Sequence, residues 1–530
     1  MLMQTTLDLS RSPDYFWALL PEIVLILWAM LVLVVDVAQK GNRSEPSRPV
    51  IGWLSLAGLV ATAAANGWLL TQHAGPGAAM VAVDAFRVFI DFVILGSAAL
   101  TLLMAQGFLD RRGINRGEFH ALVLFATAGM MLMAGARDLL MVFIGLELMS
   151  ISVYVLVGFD RLDERSAEGA LKYFLLGAFS SAFFLFGIAL TWGATGTTDI
   201  ELIGRQVIAG VTHASPLLLA GMALLMVGFG FKVAAMPFHM WTPDAYEGAP
   251  TPVTALMSTG VKAAAFASFI RVFVIGFGGA WERWVQVGFW IAVVTMVGAN
   301  LIALTEGSLK RMLAYSSIAH AGYLLVALLS NSADGAAAFL FYLLVYTLMT
   351  AGAFALLIAN SREATGEERV ALEDWAGFAR EKPLLAGLFS VFLLSLAGFP
   401  LTAGFLGKLY ILRAAIAKGL TPLAVVLVMT SLLSYFYYLR VIVVMYMSPP
   451  REAGEHRAAR LPAPAMLGVA VSAALVVLLF FAGGWPMGWA QRSADTLWHS
   501  EWYTGAAAAA PAPASALPRA PIPGMEPGLR

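Results

Sequence analysis

The stretch LLLAGMALLMVGFGFKVAAMPFHMWTPDAYEGAPTPV, residues 217–253, decides the fold of this chain. It begins with an apolar run of about 20 residues, which is the length that an α-helix needs to cross a bilayer. Lys232 lies inside that run, where an ionisable group costs from ~2.5 to more than 10 kcal/mol. Pro237 then removes a backbone donor and disfavours helical geometry at Met236. The stretch therefore predicts a membrane helix that is broken beside a buried charge.

The composition of the whole chain is typical of a membrane protein. Of its 530 residues, 60% are hydrophobic and 12% are charged, whereas soluble domains carry about 25% charged residues. The formal net charge is +0, so nothing indicates a nucleic-acid partner. The first apolar run, 16–37, is long enough to span and has no small-residue cleavage site after it, so we expect no cleavable signal peptide.

The residue types exclude several kinds of redox and nucleotide site. The chain contains no cysteine, which excludes disulfides, thiolate-ligated iron–sulfur clusters and thiolate zinc sites. No GxGxxG motif opens a βαβ unit. Gly407 and Lys408 resemble the end of a phosphate loop, but Thr402 and Leu409 replace the residues that such a loop requires. We therefore expect no cofactor in this chain, no metal and no redox chemistry, and we expect its energy to come from an ion gradient or a partner.

Apolar runs of membrane-spanning length recur along the chain and predict about 14 helices. They lie at 16–38, 50–72, 82–107, 118–136, 138–159, 166–192, 217–244, 251–276, 284–305, 309–330, 335–360, 383–416, 420–447 and 463–484. Lys and Arg are about twice as frequent in the loops after odd-numbered helices as elsewhere outside the membrane. This bias predicts that those loops, including 362–382, lie in the cytoplasm and that both termini lie outside.

A second interrupted span completes the predicted architecture. In GFPLTAGFLGK, residues 398–408, Pro400 and its neighbouring glycines fall in the centre of the twelfth run. One broken helix in each half is typical of transporters built from inverted repeats. We therefore predict an all-α polytopic membrane protein with two inverted repeats of five helices. The predicted segments are 1–117 with three N-terminal helices, 118–276 with helices 4–8, 277–447 with helices 9–13, 448–484 with a loop and helix 14, and 485–530 as an Ala/Pro-rich disordered tail.

Five ionisable residues lie within different apolar runs and indicate a charge-transfer path: Glu147, Lys172, Lys232, Lys262 and Lys408. Such residues persist in a membrane when they pair, meet water, or carry protons or ions. Lys232 and Lys408 lie beside the two breaks, where free helix carbonyls favour a cation. Glu147 is the expected partner of Lys232 or Lys172. The alternative is a set of permanent ion pairs and, for Lys172, a side chain that reaches the membrane surface.

Several other polar residues have weaker assignments. His320 is a candidate proton relay between the two halves, and a structural histidine with fixed hydrogen bonds is the alternative. Asp84, Arg87 and Asp91 have the spacing of local ion pairs on one helix face. Lys310 and Arg311 are expected to anchor the topology at the cytoplasmic surface, and Glu22 is expected at an interface or packing position.

The motifs together resemble a known family of membrane proteins. GLELMS (145–150), the stretch 217–253, KRMLAYSSIAHAGY (310–323) and GFPLTAGFLGK (398–408) are similar to the antiporter-like membrane subunits of complex I, the proton-translocating NADH:quinone oxidoreductase. LLPEIVL (19–25), the length, and Lys rather than Glu at Lys408 favour the subunit N branch, which is equivalent to mitochondrial subunit 2. The resemblance covers about residues 15–485.

The resemblance implies a function and a set of partners. It implies that Glu147, Lys172, Lys232, Lys262 and Lys408 match the proton-path residues of the family, with His320 as a connector. It implies other membrane subunits of complex I as neighbours in the bilayer of a bacterial inner (plasma) membrane. NADH, flavin, iron–sulfur clusters and quinone are expected in partner subunits. A sodium or potassium/proton antiporter subunit and a membrane scaffold that transports nothing stay open as alternatives.

Overall fold

The described part of the chain folds almost entirely into helices. The computed structural model describes residues 12–39, 49–71, 80–210, 215–361, 368–449 and 460–498. The α-helices are α1 (Ser12–Ala18), α2 (Leu20–Gln39), α3 (Val50–Leu69), α4 (Ala85–Ala105), α5 (Phe108–Arg112), α6 (Gly117–Ala134), α7 (Leu139–Val157), α8 (Glu164–Thr195), α9 (Ile200–Ile208), α10 (Pro216–Lys232), α11 (Thr242–Gly248), α12 (Thr251–Leu256), α13 (Lys262–Ile270), α14 (Trp281–Thr305), α15 (Leu309–Leu329), α16 (Ala333–Ala359), α17 (Phe378–Glu381), α18 (Pro383–Ala397), α19 (Ala403–Ala417), α20 (Thr421–Met447), α21 (Ala463–Phe481) and α22 (Gly484–Trp498).

The lengths of these helices match a membrane protein. In the described residues, 12 helical segments are long and apolar enough to cross a membrane, judged by length and composition. The predicted seventh and twelfth spans appear as the shorter apolar helices α10 and α18, which continue in α11 and α19 after an irregular turn. The all-helical membrane architecture is confirmed, and both helices end where the sequence predicts a break. The count of about 14 spans, the inverted repeats and the segment boundaries stay predictions.

The first break is built from local backbone geometry and a few long-range hydrogen bonds. After α10 ends at Lys232, Ala234 adopts a left-handed conformation with φ of 60°. The indole of Trp241 donates to the carbonyl of Phe231 at 3.0 Å, and the backbone N–H of Met236 donates to Thr295 at 2.9 Å. Because irregular backbone inside a membrane must be satisfied by protein groups or water, these contacts allow the helix to stop at mid-membrane.

The second break follows the same principle with different residues. Gly398 ends α18 with φ of 87°, which a residue with a side chain rarely adopts. Tyr435 donates to the carbonyl of Gly398 at 3.0 Å. Lys408, from α19, donates to the carbonyls of Leu396 and Ala397 at 2.9 Å each. The last carbonyls of α18, which no longer have intrahelical partners, are thus satisfied by a lysine and a tyrosine.

The centre of the fold consists of helices that are almost completely enclosed by protein. Every residue of Thr251–Gly276, which includes α12 and α13, is buried, as is every residue of α15 except Arg311, and α16 is nearly so. Two π-helical stretches, Met257–Val261 and Arg271–Gly276, flank α13. By contrast, only a third of α8 is buried. Lys262 and His320 therefore lie on the two helical segments that are furthest from the surrounding bilayer.

Contacts between loops support the predicted alternation of sides. On one side, Arg112 pairs with Asp160 at 2.9 Å, which joins the loops after the predicted third and fifth spans. Partial burial favours neutral Asp163 in that loop, but hydrogen bonds and the charges of Arg165 and Arg112 outweigh it and lower the pKa of Asp163. On the other side, Arg137 pairs with Glu201, which joins the loops after the fourth and sixth spans. Which side faces the cytoplasm stays a prediction.

The C-terminal segment differs in part from the expectation. Its beginning, which was expected to be a disordered tail from residue 485, is the helix α22. Ala490, Ala494 and Leu497 are buried, so this helix has an apolar face that packs onto the fold. The Ala/Pro-rich residues 499–530 lie outside the described residues, as do residues 362–367 of the predicted cytoplasmic loop.

Candidate functional site

Lys262 is one of three predicted path residues, with Lys232 and His320, that are almost completely enclosed. It is 1% exposed and directly follows the π-helical stretch Met257–Val261, and such stretches occur frequently at functional sites. Its ammonium group donates to the backbone carbonyl of Ser317 at 2.7 Å and to Ser317 Oγ at 2.6 Å. The Tyr346 hydroxyl donates to the same Oγ at 2.8 Å. Lys262 thus has neutral hydrogen-bond partners and no carboxylate among the described contacts.

His320 lies one turn further along α15, between two tyrosine hydroxyls. Its Nδ1 is hydrogen-bonded to the Tyr342 hydroxyl at 2.6 Å, and its Nε2 lies 3.4 Å from the Tyr438 hydroxyl. Tyr438 also shares a short hydrogen bond with Ser316. Both ring nitrogens of His320 therefore face groups that can donate or accept, which is the arrangement that a relay requires and that a fixed structural histidine also uses.

Lys408 lies beside the second break, as Lys232 lies beside the first. Besides its two hydrogen bonds to the end of α18, its ammonium group lies 4.9 Å from the centre of the Tyr323 ring. The rings of Tyr323 and His320 are 5.2 Å apart. Lys408 is therefore joined to His320 by ring contacts rather than by a direct hydrogen bond. A cation over an aromatic face is stabilised electrostatically, so the Tyr323 ring stabilises the positive charge of Lys408.

These side chains form one group, in which Lys262 comes from the first half of the chain and the other members come from the second half. We call it the polar row, and it comprises Lys262, Ser316, Ser317, His320, Tyr323, Tyr342, Tyr346, Lys408 and Tyr438. Its members come from α13, α15, α16, α19 and α20. Each hydroxyl can both donate and accept a hydrogen bond, so a proton that arrives at one group can be matched by reorientation of the next. The described hydrogen bonds join Lys262, Ser317 and Tyr346 in one set and Tyr342, His320, Tyr438 and Ser316 in another, and ring contacts link the two sets.

Lys232, at the end of α10, contacts the face of α7 that carries Glu147 and Ser150. The ammonium group of Lys232 donates to Ser150 at 2.7 Å and lies 3.4 Å from the Tyr154 hydroxyl. Glu147 accepts a hydrogen bond from Ser181 at 2.5 Å. The expected direct pair of Glu147 with Lys232 is absent from the described ion pairs. Since Glu147 and Ser150 are one helical turn apart, the two charges share a face of α7 with Ser150 beside the lysine.

Lys172 is placed away from Glu147. Its side chain is 44% exposed and pairs with Glu168 at 2.6 Å and with Asp244 at 2.8 Å. The same Asp244 pairs with Arg311 at 2.9 Å. This position fits the alternative in which the lysine reaches the membrane surface. It also makes Lys172 a partner of the element that follows the first break, which the sequence did not indicate.

The stretch after the first break is held by charges from the second half. Arg311 pairs with Asp244 and with Glu247 at 3.1 Å. Lys310 is 1% exposed, pairs with Glu368, and donates to the carbonyl of Ala249 at 2.9 Å. These two residues were predicted only as topology anchors. They are in addition the groups that fix α11 and the start of α12 against α15.

An aromatic cluster separates the Lys232 region from the polar row. The Lys232 ammonium group lies 5.9 Å from the centre of the Tyr173 ring, and that ring stacks on Trp241 at 4.2 Å. Trp241 in turn lies 6.2 Å from Tyr246 between ring centres. No described direct hydrogen bond joins Lys232 to Lys262. Charge at one lysine can therefore influence the other through space or through movement of these rings.

Sequence reasoning missed the hydroxyl groups that complete the site. Ser150 and Tyr154 follow Glu147 at helical spacing, and Ser317 precedes His320 by three residues. These spacings place each hydroxyl on the face of the ionisable residue, so the signal was present in GLELMSISVY and AYSSIAH. The partners from other helices, such as Tyr342 and Tyr438, carry no local signal. Among the described residues, no group of three or more His, Asp or Glu side chains could hold a metal ion.

Broken helices with lysines at their ends, inside an all-helical membrane fold, define the class of polytopic proteins that contains the secondary transporters. The chain belongs to the NADH:quinone oxidoreductase/Mrp antiporter family, whose transmembrane model matches residues 136–434. It is 45% identical over 458 residues to the NADH-quinone oxidoreductase subunit N of Trichlorobacter lovleyi, which covers 86% of this chain and 92% of that relative. The expected resemblance to the subunit N branch is confirmed.

Solved structures agree with this assignment. A chain of respiratory complex I from Thermus thermophilus with bound aureothin is 35% identical, with a TM-score of 0.73, and the match covers 88% of this chain and 98% of that one. A chain of the Mrp complex from Dietzia sp. is 22% identical, with a TM-score of 0.80, over 93% and 99% of the two chains. At that identity the second likeness shows the shared fold alone.

Proposed function

We propose that this chain is a proton-translocating membrane subunit of an NADH:quinone oxidoreductase. In this role it couples electron transfer in partner subunits to proton movement through Glu147, Lys172, Lys232, Lys262, His320 and Lys408. The observation that carries the proposal is the polar row, in which hydrogen-bonded groups surround Lys262 and His320 on completely buried helices. A membrane protein does not retain such groups at this depth without a compensating role.

The chain would act only as part of a larger enzyme. It contains no cysteine and no motif for a nucleotide or flavin, so the electron transfer would take place in other subunits, where NADH, flavin, iron–sulfur clusters and quinone would bind. Its neighbours would be other membrane subunits of complex I, in the plasma membrane of a bacterium. The translocase activity would belong to the assembly, and this chain would supply one proton path.

The proposed path has three parts. Lys172, Asp244 and Arg311 form the charged entrance at the predicted cytoplasmic surface. Lys232 and Glu147 lie deeper, at the end of α10 and on α7, and would change partners as their charge changes. The polar row then leads towards Lys408 and the second break. Lys232 ends α10, and the ammonium group of Lys408 binds the last carbonyls of α18, so proton binding at one lysine would change the electrostatic potential at the other.

The test is proton pumping by membrane vesicles that contain the assembled complex with a variant of this chain. Lys262→Met keeps the length of the side chain and removes its charge and its donors to Ser317. We expect NADH-driven quenching of a pH-sensitive dye to be lost, while NADH oxidation with an artificial acceptor persists in the partner subunits. Lys232→Ala and Glu147→Ala should behave alike. Wild-type turnover together with wild-type pumping in assembled Lys262→Met would refute the proposal.

A matched control separates the path from general effects of charge. Lys418 is exposed and lies 5.2 Å from the centre of the Trp281 ring, away from the polar row. Lys418→Ala removes one cation from the surface and should leave pumping unchanged. If Lys418→Ala and Lys262→Met lower pumping equally, the effect is not specific to the path.

The alternative of a cation/proton antiporter rests on the family model, whose description includes both NADH:quinone oxidoreductase and the Mrp antiporter. The two functions separate when the purified chain is placed in sealed vesicles with a pH dye inside. Proton flux that follows an imposed sodium or potassium gradient would support the antiporter. The proposed function predicts no such flux, and no flux with NADH and quinone in the absence of partner subunits. A scaffold would tolerate neutral replacements at every lysine of the path.

A further inference from the structure

A second group of ionisable residues lies outside the proposed path, at the opposite ends of α4 and α13 from the predicted cytoplasm. It consists of Glu22 on α2, of Asp84, Arg87 and Asp91 at and after the start of α4, and of Arg271 at the end of α13. The Arg87 guanidinium binds both oxygens of Glu22, at 2.6 and 2.8 Å. The Arg271 guanidinium binds both oxygens of Asp84, at 2.8 and 3.1 Å.

Asp91 is the member of this group without a hydrogen-bond partner. It is 0% exposed, and neither of its carboxyl oxygens has a hydrogen bond in the described structure. Its nearest charged neighbour is Nε of Arg87 at 3.3 Å, but that nitrogen also makes no hydrogen bond. The other Arg87 nitrogens already serve Glu22 and the carbonyls of Ala18 and Ala82. Asp91 therefore faces the one Arg87 nitrogen that is not used elsewhere, in a contact that forms an ion pair without a hydrogen bond.

The group is electrically neutral only if one of its three carboxyl groups is protonated. Three carboxyl groups face two guanidinium groups, and a guanidinium does not release its proton in a protein. Asp84 is bound by two nitrogens of Arg271, and both oxygens of Glu22 are bound by one nitrogen of Arg87, which favours the ionised forms of both carboxyl groups. A third carboxylate, buried without a hydrogen bond and facing two guanidinium groups that already balance two other carboxylates, would leave one uncompensated charge in the low-dielectric interior. Neutrality is reached when Asp91 carries a proton.

We propose that this group is a buried proton-binding site and that the bound proton resides on the carboxyl group of Asp91. The groups that face Asp91 are Glu22 from α2, Asp84 and Arg87 from α4, and Arg271 from the end of α13. The helices α3, α6 and α22 also pack on α4. In the described part of the chain they contribute no ion pair to the group, although α22 carries Arg492 and Asp495.

The position of the site gives the proton a structural consequence. Arg271 follows the last residue of α13, and the π-helical turn Met257–Val261 directly precedes Lys262 at the start of the same helix. The same α4 also contacts that turn, because Ser97 Oγ lies 2.6 Å from Thr259 Oγ1 and accepts from the backbone N–H of Gly260 at 3.0 Å. The helix of Lys262 is thus held by α4 at two points. Release of the proton from Asp91 would add a negative charge next to one of them, so the proton stabilises the observed packing of α4 on that helix.

The test compares three isosteric variants of the full chain in detergent, by infrared spectroscopy of protonated carboxyl groups and by thermal unfolding. Asp91→Asn replaces a neutral carboxyl by a neutral amide. We expect the loss of one protonated-carboxyl band that the wild type retains across neutral pH, with little change in melting temperature. Asp84→Asn removes the partner of Arg271, and we expect it to keep the band and to melt at a clearly lower temperature.

The third variant, Glu22→Gln, removes the carboxylate to which Arg87 is hydrogen-bonded. We expect Asp91 to ionise and replace it, so that the same band disappears although Asp91 is still present. The proposal is overturned if Asp91→Asn leaves the band unchanged, if Asp91→Asn melts as low as Asp84→Asn or fails to fold, or if Glu22→Gln retains the band. None of these readouts depends on proton pumping, so the site stands or falls independently of the proposed function.

Discussion

Removal of a single oxygen atom from Tyr342 is the sharpest perturbation of the polar row. Tyr342→Phe keeps the completely buried ring on α16 and deletes only the hydroxyl that is hydrogen-bonded to His320 Nδ1 at 2.6 Å. That nitrogen then becomes a buried polar atom without a partner. An unsatisfied buried group costs about 1–3 kcal/mol, and the cost applies to any step in which His320 must hold or pass a proton.

The magnitude follows from this penalty. If it adds to the barrier of proton transfer through His320, each 1.36 kcal/mol slows the step about tenfold. We therefore expect proton translocation to fall by about five- to 150-fold. The measurement is the rate of NADH-driven dye quenching in membrane vesicles, divided by the rate of NADH oxidation in the same vesicles. The ratio isolates the coupling of proton movement from the amount of assembled enzyme.

Tyr446→Phe is the matched control, since it deletes the same atom from a tyrosine that is 45% exposed. It should leave the ratio at the wild-type value. If Tyr342→Phe also gives the wild-type ratio, the hydrogen bond to His320 does not take part in proton transfer and His320 is a structural histidine. A fall in assembly with an unchanged ratio would have the same meaning, because a purely structural role lowers stability alone.

Two further predictions concern the first half and the topology. Lys232→Arg should abolish pumping although it keeps the positive charge, because arginine stays protonated in proteins and cannot release a proton to Ser150 or Tyr154; recovery of pumping in this variant would remove Lys232 from the path. Single cysteines at positions 366 and 530, in a chain that has none, should react with an impermeant thiol reagent from opposite sides, with 366 accessible from the cytoplasm. Labelling of both positions from one side would contradict the predicted orientation.

The parts of the fold that the sequence predicts are those with local causes. Proline and glycine act on the backbone within one turn, so the ends of α10 and α18 near Pro237 and Pro400 could be located from the sequence alone. The apolar runs likewise give the helices to within a few residues. The π-helical stretches beside Lys262 have no such local signature, since they depend on the packing of neighbouring helices such as α4.

The partners of the ionisable residues could not be predicted because they are distant in sequence. Lys262 binds a residue 55 positions away, and Lys232 binds one 82 positions away. A residue such as Lys232 has several carboxylates and hydroxyls within conceivable reach, and only the helix packing selects among them. The sequence predicted Glu147 as the partner of Lys232 or Lys172. The hydrogen-bond partner of Lys232 is instead Ser150, which lies one turn further along α7 than Glu147.

The helix α15 explains how the two halves can influence each other. At its N-terminal end Arg311 holds Asp244 and Glu247 of the element that follows the first break. In its middle Ser317 binds Lys262 and the next turn carries His320. The hydrogen bonds of a charged group are worth about 1.5–3 kcal/mol, which is comparable to the coupling free energies of about 1–3 kcal/mol that link distant sites. One change of charge at Lys262 is therefore comparable in free energy to such a coupling, and α15 connects Ser317, which binds Lys262, directly to the ion pairs of Arg311.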